Sequence, residues 1–368
     1  MDNPIILLAA GGTGGHVYPA IAIADALKKE DPSTEILFVG TKAHMEWKAV
    51  PKAGYPIKNV WISGFHRRFT FKNLLFPVKL ITSLFQSLSI LSAYKPQVVV
   101  SCGGYVAGPV GWVAGKKGIP LVIQEQNSFP GVTNRLLAKF ASKIFTAFKE
   151  ADQFLPKEKT EVVGNPTRAT LTGADREKAL ASFGFNSDKP VLLVMGGSGG
   201  AKTINDAMKA NIEQLHNDSN LQIIWQCGPR YYDELTTEVN EEKLINLRLT
   251  AYLDNMAEAY AAADLVISRA GASSCSELML TGTPSILVPS PNVAGDHQTQ
   301  NATAMVHAGA SKMLEDGTMK ETMSELVEQL IYDQETLKRM NQAALDLAKP
   351  EAAKLIAKEI LEIAKSKL

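Results

Sequence analysis

The chain has 368 residues, 45% of them hydrophobic and 21% charged, a globular composition that excludes a low-complexity or disordered chain and, at this length, points to two domains. Cys102, Cys227 and Cys275 stand far apart in no metal-ligand spacing, which excludes a zinc site and reads as reduced, structural thiols. The net charge of zero hides an asymmetry: residues 1–165 hold 19 Lys and Arg against 11 Asp and Glu, a net of +8, and the remainder is −8. A basic N-terminal half points to an anionic partner such as phospholipid headgroups or diphosphates. Nucleic acid is not expected as a partner, because no recognisable nucleic-acid-binding motif accompanies the charge.

The chain opens Met1-Asp2-Asn3-Pro4 and runs directly into an apolar stretch. It lacks the basic region and long apolar core of a signal peptide, so a cytosolic location is expected. From there short apolar runs alternate with longer amphipathic stretches, the pattern of a parallel sheet covered by helices. Strands are predicted at 5–10, 36–39, 98–102, 121–124 and 144–146, then at 191–195, 222–226, 265–268 and 285–288. They read as continuous Val/Ile/Leu runs, as strands buried on both faces do.

Gly11-Gly12-Thr13-Gly14-Gly15 follows the first strand and opens a helical pattern. Glycine lets the backbone turn sharply and approach a diphosphate, and the helix start aims N–H groups at the anion. The same loop also serves as a tight turn that binds nothing. A dinucleotide enzyme would close its second strand with an acid to hold the ribose; this strand ends Val39-Gly40-Thr41-Lys42, which argues against an NAD enzyme. His16 directly follows the loop, and a neutral imidazole at a helix start is a competent general base, although a lone His is more often structural.

Residues 65–91 read FHRRFTFKNLLFPVKLITSLFQSLSIL. Arg67, Arg68, Lys72 and Lys79 among Phe65, Phe69, Phe71, Leu74, Leu75 and Phe76 form a basic–aromatic mix that suits an anionic membrane surface. The charge-free stretch after Lys79 is read as too short and polar to span a bilayer, and core packing accounts equally well for Leu84, Leu88 and Leu91. A third glycine loop, Gly103-Gly104-Tyr105-Val106-Ala107-Gly108, follows the strand at 98–102, where open α/β sheets bind ligands; close helix–sheet packing explains it as well. Glu125, just after 121–124, is a second candidate base, with Asn127 as a polar neighbour.

Gly164-Asn165-Pro166 marks the join. Beyond it PVLLVM leads into Gly196-Gly197-Ser198-Gly199-Gly200, repeating the first strand and loop 185 residues later. The repeat predicts two Rossmann-like domains, 1–165 and 166–345, followed by an amphipathic helix over 346–368. Ala201-Lys202-Thr203 lacks the glycine of a P-loop, and Ser198 sits where its hydroxyl would meet a phosphate. Ser273 and Ser274 offer N-cap chemistry after the strand at 265–268. Glu277 suits ribose hydroxyls or simply the helix dipole. Residues 296–301 read DHQTQN, a polar cluster suited to a sugar. No Asp-x-Asp occurs, so no metal and no cofactor are expected, and diphosphate charge falls to N–H groups, helix dipoles and Arg168.

Taken together, GGTGGHVYPA (11–20), GGYVAGP (103–109), QEQNSFPGVTNRLLAKFA (124–141), VGNPTR (163–168), GGSGGAKTIN (196–205) and RAGASSCSELMLTGTPSILVP (269–289) resemble the signature segments of the MurG family. These are the UDP-N-acetylglucosamine–N-acetylmuramyl-(pentapeptide) pyrophosphoryl-undecaprenol N-acetylglucosamine transferases. The resemblance implies an α/β GT-B fold, two Rossmann-like domains whose parallel sheets face a central cleft, with the final helix crossing back to the N-terminal domain. It implies inverting, metal-free GlcNAc transfer from UDP-GlcNAc to the 4-OH of MurNAc in undecaprenyl-diphosphate-MurNAc-pentapeptide (lipid I), giving lipid II at the cytoplasmic face of the bacterial plasma membrane.

By the same resemblance the donor positions are Thr13, Gly14, Gly15, Asn127, Arg168, Ser198, Leu253 (backbone to uracil), Ala272, Ser273, Ser274, Cys275, Ser276, Glu277 and Gln298. The acceptor diphosphate falls to Gly12, Gly14, Gly15, Gly103, Gly104 and Tyr105, and His16 or Glu125 is the catalytic base. Two positions depart from the family pattern: Gly199, where a larger residue is usual, and Thr299, where a second glutamine is often found. The competing readings are a UDP-GlcNAc 2-epimerase, a glycosyltransferase acting on another lipid acceptor, and a non-catalytic nucleotide-sensing membrane adaptor.

Overall fold

The structure, a computed structural model, describes residues 3–64, 75–217, 220–239, 245–293 and 296–367. Of the basic–aromatic run, Phe65, Arg67, Arg68, Phe69, Phe71, Lys72 and Leu74 lie outside these residues. The chain divides into two units, residues 1–168 with 349–368, and residues 169–348.

The first unit carries strands β1 (Ile5–Ala9), β2 (Glu35–Gly40), β3 (Ile57–Asn59), β4 (Val98–Ser101), β5 (Leu121–Glu125), β6 (Ala141–Thr146) and β7 (Thr160–Val162). They form one parallel sheet in the order β3-β2-β1-β4-β5-β6-β7. Its helices are α1 (Gly14–Glu30), α2 (Glu46–Lys52), α3 (Phe76–Tyr94), α4 (Gly104–Lys116) and α5 (Val132–Leu137).

The second unit holds β8 (Val191–Met195), β9 (Gln222–Gln226), β10 (Leu247–Thr250), β11 (Leu265–Ser268), β12 (Ser285–Leu287) and β13 (Ser311–Met313), parallel in the order β10-β9-β8-β11-β12-β13. Around this sheet lie α6 (Arg176–Phe183), α7 (Lys202–Asn217), α8 (Tyr232–Glu238), α9 (Met256–Ala262), α10 (Ala272–Thr281), α11 (His297–His307), α12 (Met319–Ile331) and α13 (Gln334–Leu347).

The inner strands are the apolar runs the sequence displays, because helices cover both faces of each sheet and bury most of their side chains. No such run announces the outer strands β3, β7, β10 and β13. They read IKN, TEV, LRLT and SKM, short segments that keep polar residues where the sheet meets water. The three cysteines are free and buried. Burial pushes the Cys275 thiol up to about 12 and that of Cys227 to about 11, so both behave as small core residues.

The last helix, α14 (Ala352–Lys365), returns to the first unit. Ile356, Ala357, Ile360, Leu361 and Ala364 lie on one face of it. They join Val17, Ile21 and Ala24 of α1 in the same apolar core. Replacing the fully buried Ile360 by alanine is expected to cost about 2–5 kcal/mol of that unit's stability in urea unfolding. A loss below about 0.5 kcal/mol, the usual size for a surface change, would show that the helix is not part of this core.

Candidate active site

In each sheet the strand order reverses at one point, between β1 and β4 in the first unit and between β8 and β11 in the second. Ligands of open α/β sheets bind outside the carboxyl ends of the strands at that reversal. The two glycine loops of the first unit sit there, residues 11–15 after β1 and Gly103-Gly104 after β4. Their backbones touch. Gly104 has φ +79°, and a Cβ on it would collide with the carbonyl oxygen of Gly11. A Cβ on Gly103, at φ +90°, would stand 2.7 Å from Cδ2 and 3.0 Å from Nε2 of His16. Glycine at these positions is what lets the imidazole lie against the end of β4.

His16 is half-buried in the first turn of α1. Its Nδ1 lies 3.2 Å from the carbonyl oxygen of Gly11 and 3.1 Å from Oγ1 of Thr13. The carbonyl can only accept, so a hydrogen bond to it requires the proton on Nδ1, the tautomer in which Nε2 is the basic nitrogen.

Among the described residues of the unit two carboxylates are buried. Glu125, 1% exposed, accepts from the N–H and side-chain amide of Asn127 at 2.9 and 3.1 Å on one oxygen. On the other it accepts from the N–H of Gly131 and Nδ2 of Asn134 at 3.0 and 2.9 Å. Four donors on a buried carboxylate make it a clamp for the loop that carries Asn127, a different position from that expected of a base open to substrate. Glu46, fully buried, has no place in the sequence reading, yet it accepts from the N–H of Gly12 at 3.1 Å. Gly12 therefore also differs from the expectation: its N–H is bonded to this carboxylate rather than left for the acceptor diphosphate. Gly14 and Gly15 lie in the first turn of α1, whose N–H groups have no partner within the helix. Tyr105 occupies the equivalent turn of α4 and is exposed. Arg168, the residue before the second unit, stacks its guanidinium 4.6 Å from the Tyr18 ring.

At the reversal of the second sheet, β8 leads into Gly196-Gly197-Ser198-Gly199-Gly200 and then α7. Gly200, at φ +73°, packs on the backbone of Cys227 and Gly228 after β9, and Ser198 is exposed. After β11, Gly271 is the N-cap of α10, so Ser273 and Ser274 fall inside its first turn instead of capping it. The Ser273 hydroxyl is buried with no hydrogen-bond partner among the described residues. Ala272 is buried and Cys275 belongs to the core, and the Ser276 hydroxyl donates back to the Ala272 carbonyl at 2.8 Å. These three offer a ligand backbone rather than side chain. Glu277 accepts from the hydroxyl of the buried Tyr260 at 2.9 Å, which fixes its carboxylate. Gln298 accepts from the Ser290 N–H at 2.8 Å, and Leu253 lies buried beyond β10.

A staple holds this end of the second sheet together. Arg269 donates to Asp316 at 2.5 Å, to Thr203 at 2.5 Å and to the Val288 carbonyl at 3.2 Å, while Thr203 donates to Asp316 at 2.6 Å. It joins the loop after β11, the end of β12 and the start of α7. Arg269 lies within the recognised segment at 269–289, but its partners are distant in sequence, so no local spacing reveals the group. Among the described residues no cluster of three His, Cys, Asp or Glu is arranged to hold a metal ion.

The first unit also presents an apolar surface. Helix α3 turns Ser83, Ser87 and Leu91 inward and leaves Val78, Ile81, Leu88 and Phe85, the last 68% exposed, on its outer face. It runs 19 residues and is long and apolar enough to cross a membrane by length and composition alone, but it packs along α4. Trp112 of α4 and Leu136 of α5, a helix that packs on α4, are exposed as well. Lys79 lies 5.7 Å from the Trp61 ring and Lys116 5.8 Å from that of Trp112.

Residues 6–146 match the glycosyltransferase family 28 N-terminal domain and residues 191–360 the glycosyltransferase family 28 C-terminal domain. The chain is 46% identical over 361 residues to the UDP-N-acetylglucosamine–N-acetylmuramyl-(pentapeptide) pyrophosphoryl-undecaprenol N-acetylglucosamine transferase of Salinibacter ruber, covering 98% of this chain and 97% of that one. It is 44% identical over 368 residues to the transferase of the same name from Flavobacterium psychrophilum, covering 100% and 99%. The crystal structure of MurG from Acinetobacter baumannii superposes with a TM-score of 0.74 at 29% identity, covering 98% of this chain and 99% of that one.

The glycine contacts give opposite expectations for two alanine substitutions. Gly104→Ala adds left-handed strain of ~1–2 kcal/mol to overpacking of ~1–3 kcal/mol and should destabilise the first unit accordingly. A Cβ at Gly199 meets none of the described residues within 4 Å, and its φ is not positive. Gly199→Ala should therefore stabilise the second unit by about 0.4–1 kcal/mol through the unfolded chain. Urea unfolding of the two variants checks both signs.

Proposed function

The chain belongs to glycosyltransferase family 28, and on that premise we propose that it transfers GlcNAc from UDP-GlcNAc to the 4-OH of MurNAc in undecaprenyl-diphosphate-MurNAc-pentapeptide, giving lipid II and UDP. The observation that carries the reading is His16, held by Gly11 and Gly103 at the strand reversal of the first sheet, in a chain that matches such transferases from end to end. An epimerase or a nucleotide sensor would leave that alignment without a reason.

In a single displacement the 4-oxygen forms a bond to the anomeric carbon as the bond from that carbon to the β-phosphate oxygen breaks, and the configuration inverts. The hydroxyl proton goes to Nε2 of His16, the nitrogen that the Gly11 carbonyl leaves basic. Glu125 acts by fixing the loop that carries Asn127. The departing UDP gains one negative charge on its β-phosphate, and the diphosphate is met by Arg168, Ser198 and the starts of α7 and α10. The buried Ser273 hydroxyl supplies a further donor. Glu277, oriented by Tyr260, takes the ribose hydroxyls, Gln298 the GlcNAc hydroxyls and the Leu253 backbone the uracil. The acceptor diphosphate rests on Gly14, Gly15, Gly103, Gly104 and Tyr105, at the starts of α1 and α4.

The acceptor is a lipid, and the apolar face of α3 with Trp112 and Leu136 suits the surface of an anionic bilayer. Its neighbours Lys79 and Lys116 suit the headgroups. The enzyme then works as a peripheral protein at the cytoplasmic face of the plasma membrane.

His16→Ala should lower kcat for UDP release with a short-chain lipid I analogue by about 10²–10⁴-fold. Its affinity for UDP-GlcNAc should stay within about threefold, as expected for loss of a group that acts in the transition state. Equal turnover by the variant would remove His16 from the chemistry. In vesicle sedimentation, Ile81→Glu with Phe85→Glu should weaken binding to phosphatidylglycerol-containing vesicles at least about tenfold, and salt should weaken the wild type. Unchanged binding by the double variant would place the membrane contact elsewhere.

A further inference from the structure

The Gly11–Gly12 peptide group is bonded on both sides. Its carbonyl oxygen lies 3.2 Å from Nδ1 of His16, and its N–H donates to Glu46 at 3.1 Å. A trans peptide points these two groups in opposite directions, so one planar unit stands between a carboxylate and an imidazole. Glu46 is wholly buried at the first position of α2. Its second oxygen accepts from the N–H and the hydroxyl of Thr41 at 3.0 and 2.8 Å. The surrounding backbone is shaped to it: a Cβ on Gly11 would stand 2.6 Å from its Oε1, and one on Gly40 2.7 Å from its Cγ.

We propose that Glu46 is a positioning residue for His16, acting through the Gly11–Gly12 peptide to hold the imidazole in the Nδ1–H tautomer with Nε2 presented as the base; this rests on the reading of His16 as the proton acceptor. Hydrogen bonds in a chain polarise one another. A carboxylate on the N–H side makes the Gly11 carbonyl a stronger acceptor and favours the proton on Nδ1. The Thr13 hydroxyl, 3.1 Å from the same nitrogen, donates or accepts and so selects neither tautomer. The arrangement does for His16 what a directly bonded carboxylate does in a catalytic triad, with one peptide interposed. Glutamine cannot take the place of Glu46. Both of its oxygens accept from backbone N–H groups, so a side-chain NH₂ would confront either Gly12 or Thr41.

The test uses the full-length protein labelled with ¹⁵N-histidine, the His16 signals being assigned by their loss in His16→Asn. In the wild type, above the titration of the ring, Nδ1 should be protonated and Nε2 pyridine-like. In Glu46→Gln the two tautomers should mix. The kcat of UDP release with the lipid I analogue should fall at least about tenfold, with affinity for UDP-GlcNAc unchanged. A wild-type spectrum with the proton on Nε2 overturns the proposal without any variant. So does a folded Glu46→Gln protein that loses kcat but keeps the wild-type tautomer, or one that keeps both. If the wild type transfers no sugar, the functional reading fails, while the spectra still decide whether Glu46 sets the tautomer.

Discussion

The contact between two stretches of bare backbone organises the first unit. Gly104 lies against the carbonyl of Gly11, and the His16 ring against Gly103, only because none of these glycines carries a Cβ. Two loops after neighbouring strands therefore converge at the sheet reversal, bringing two helix starts and an imidazole to one place. The second unit repeats the device with different partners, Gly200 against Cys227 and Gly228. In each case a helix start stands at the sheet reversal, and the strength with which such a start can attract an anion depends on how closely its backbone can be approached.

Buried polar groups then fix what the glycines permit. Glycine loops are conformationally loose in isolation, and a loop that must present N–H groups at fixed positions needs restraints from behind. Glu46 restrains residues 11–12, Glu125 restrains the loop from Asn127 to Gly131, and the Arg269–Asp316–Thr203 staple ties the ends of β11 and β12 to the start of α7. Removing one partner of such a group leaves the other buried and unpaired, a larger penalty than the bond itself contributes.

The division between what the sequence displays and what it conceals follows from these same forces. The inner strands and the glycine loops are legible, because burial on both faces imposes continuous apolar runs and sharp turns impose glycine. His16 is legible because it directly follows such a loop. The outer strands are not, since Lys58 in IKN or Lys312 in SKM is compatible with an edge and equally with a loop. Glu46 is concealed for a different reason. It sits in the unpatterned stretch His44-Met45-Glu46-Trp47, and its partners lie 34 and 5 residues away, so only the fold reveals that its carboxylate reaches the first glycine loop. For the segment from Ala272 to Glu277 the sequence locates the helix start but not which hydroxyls remain for a ligand, a matter of helical phase that turns Ser276 back on its own backbone and leaves Ser273 without a partner among the described residues.

The central claim is that sugar transfer to a lipid-linked acceptor is carried out by helix starts, polar side chains and one imidazole. The most direct measurement is UDP release from UDP-GlcNAc in the presence of EDTA, with and without a short-chain lipid I analogue, together with the linkage of the product. Release is expected only when the analogue is present, undiminished by the chelator, with a β-1,4-linked GlcNAc–MurNAc disaccharide as product. Consumption of UDP-GlcNAc without the analogue, or no release with it, would contradict the account.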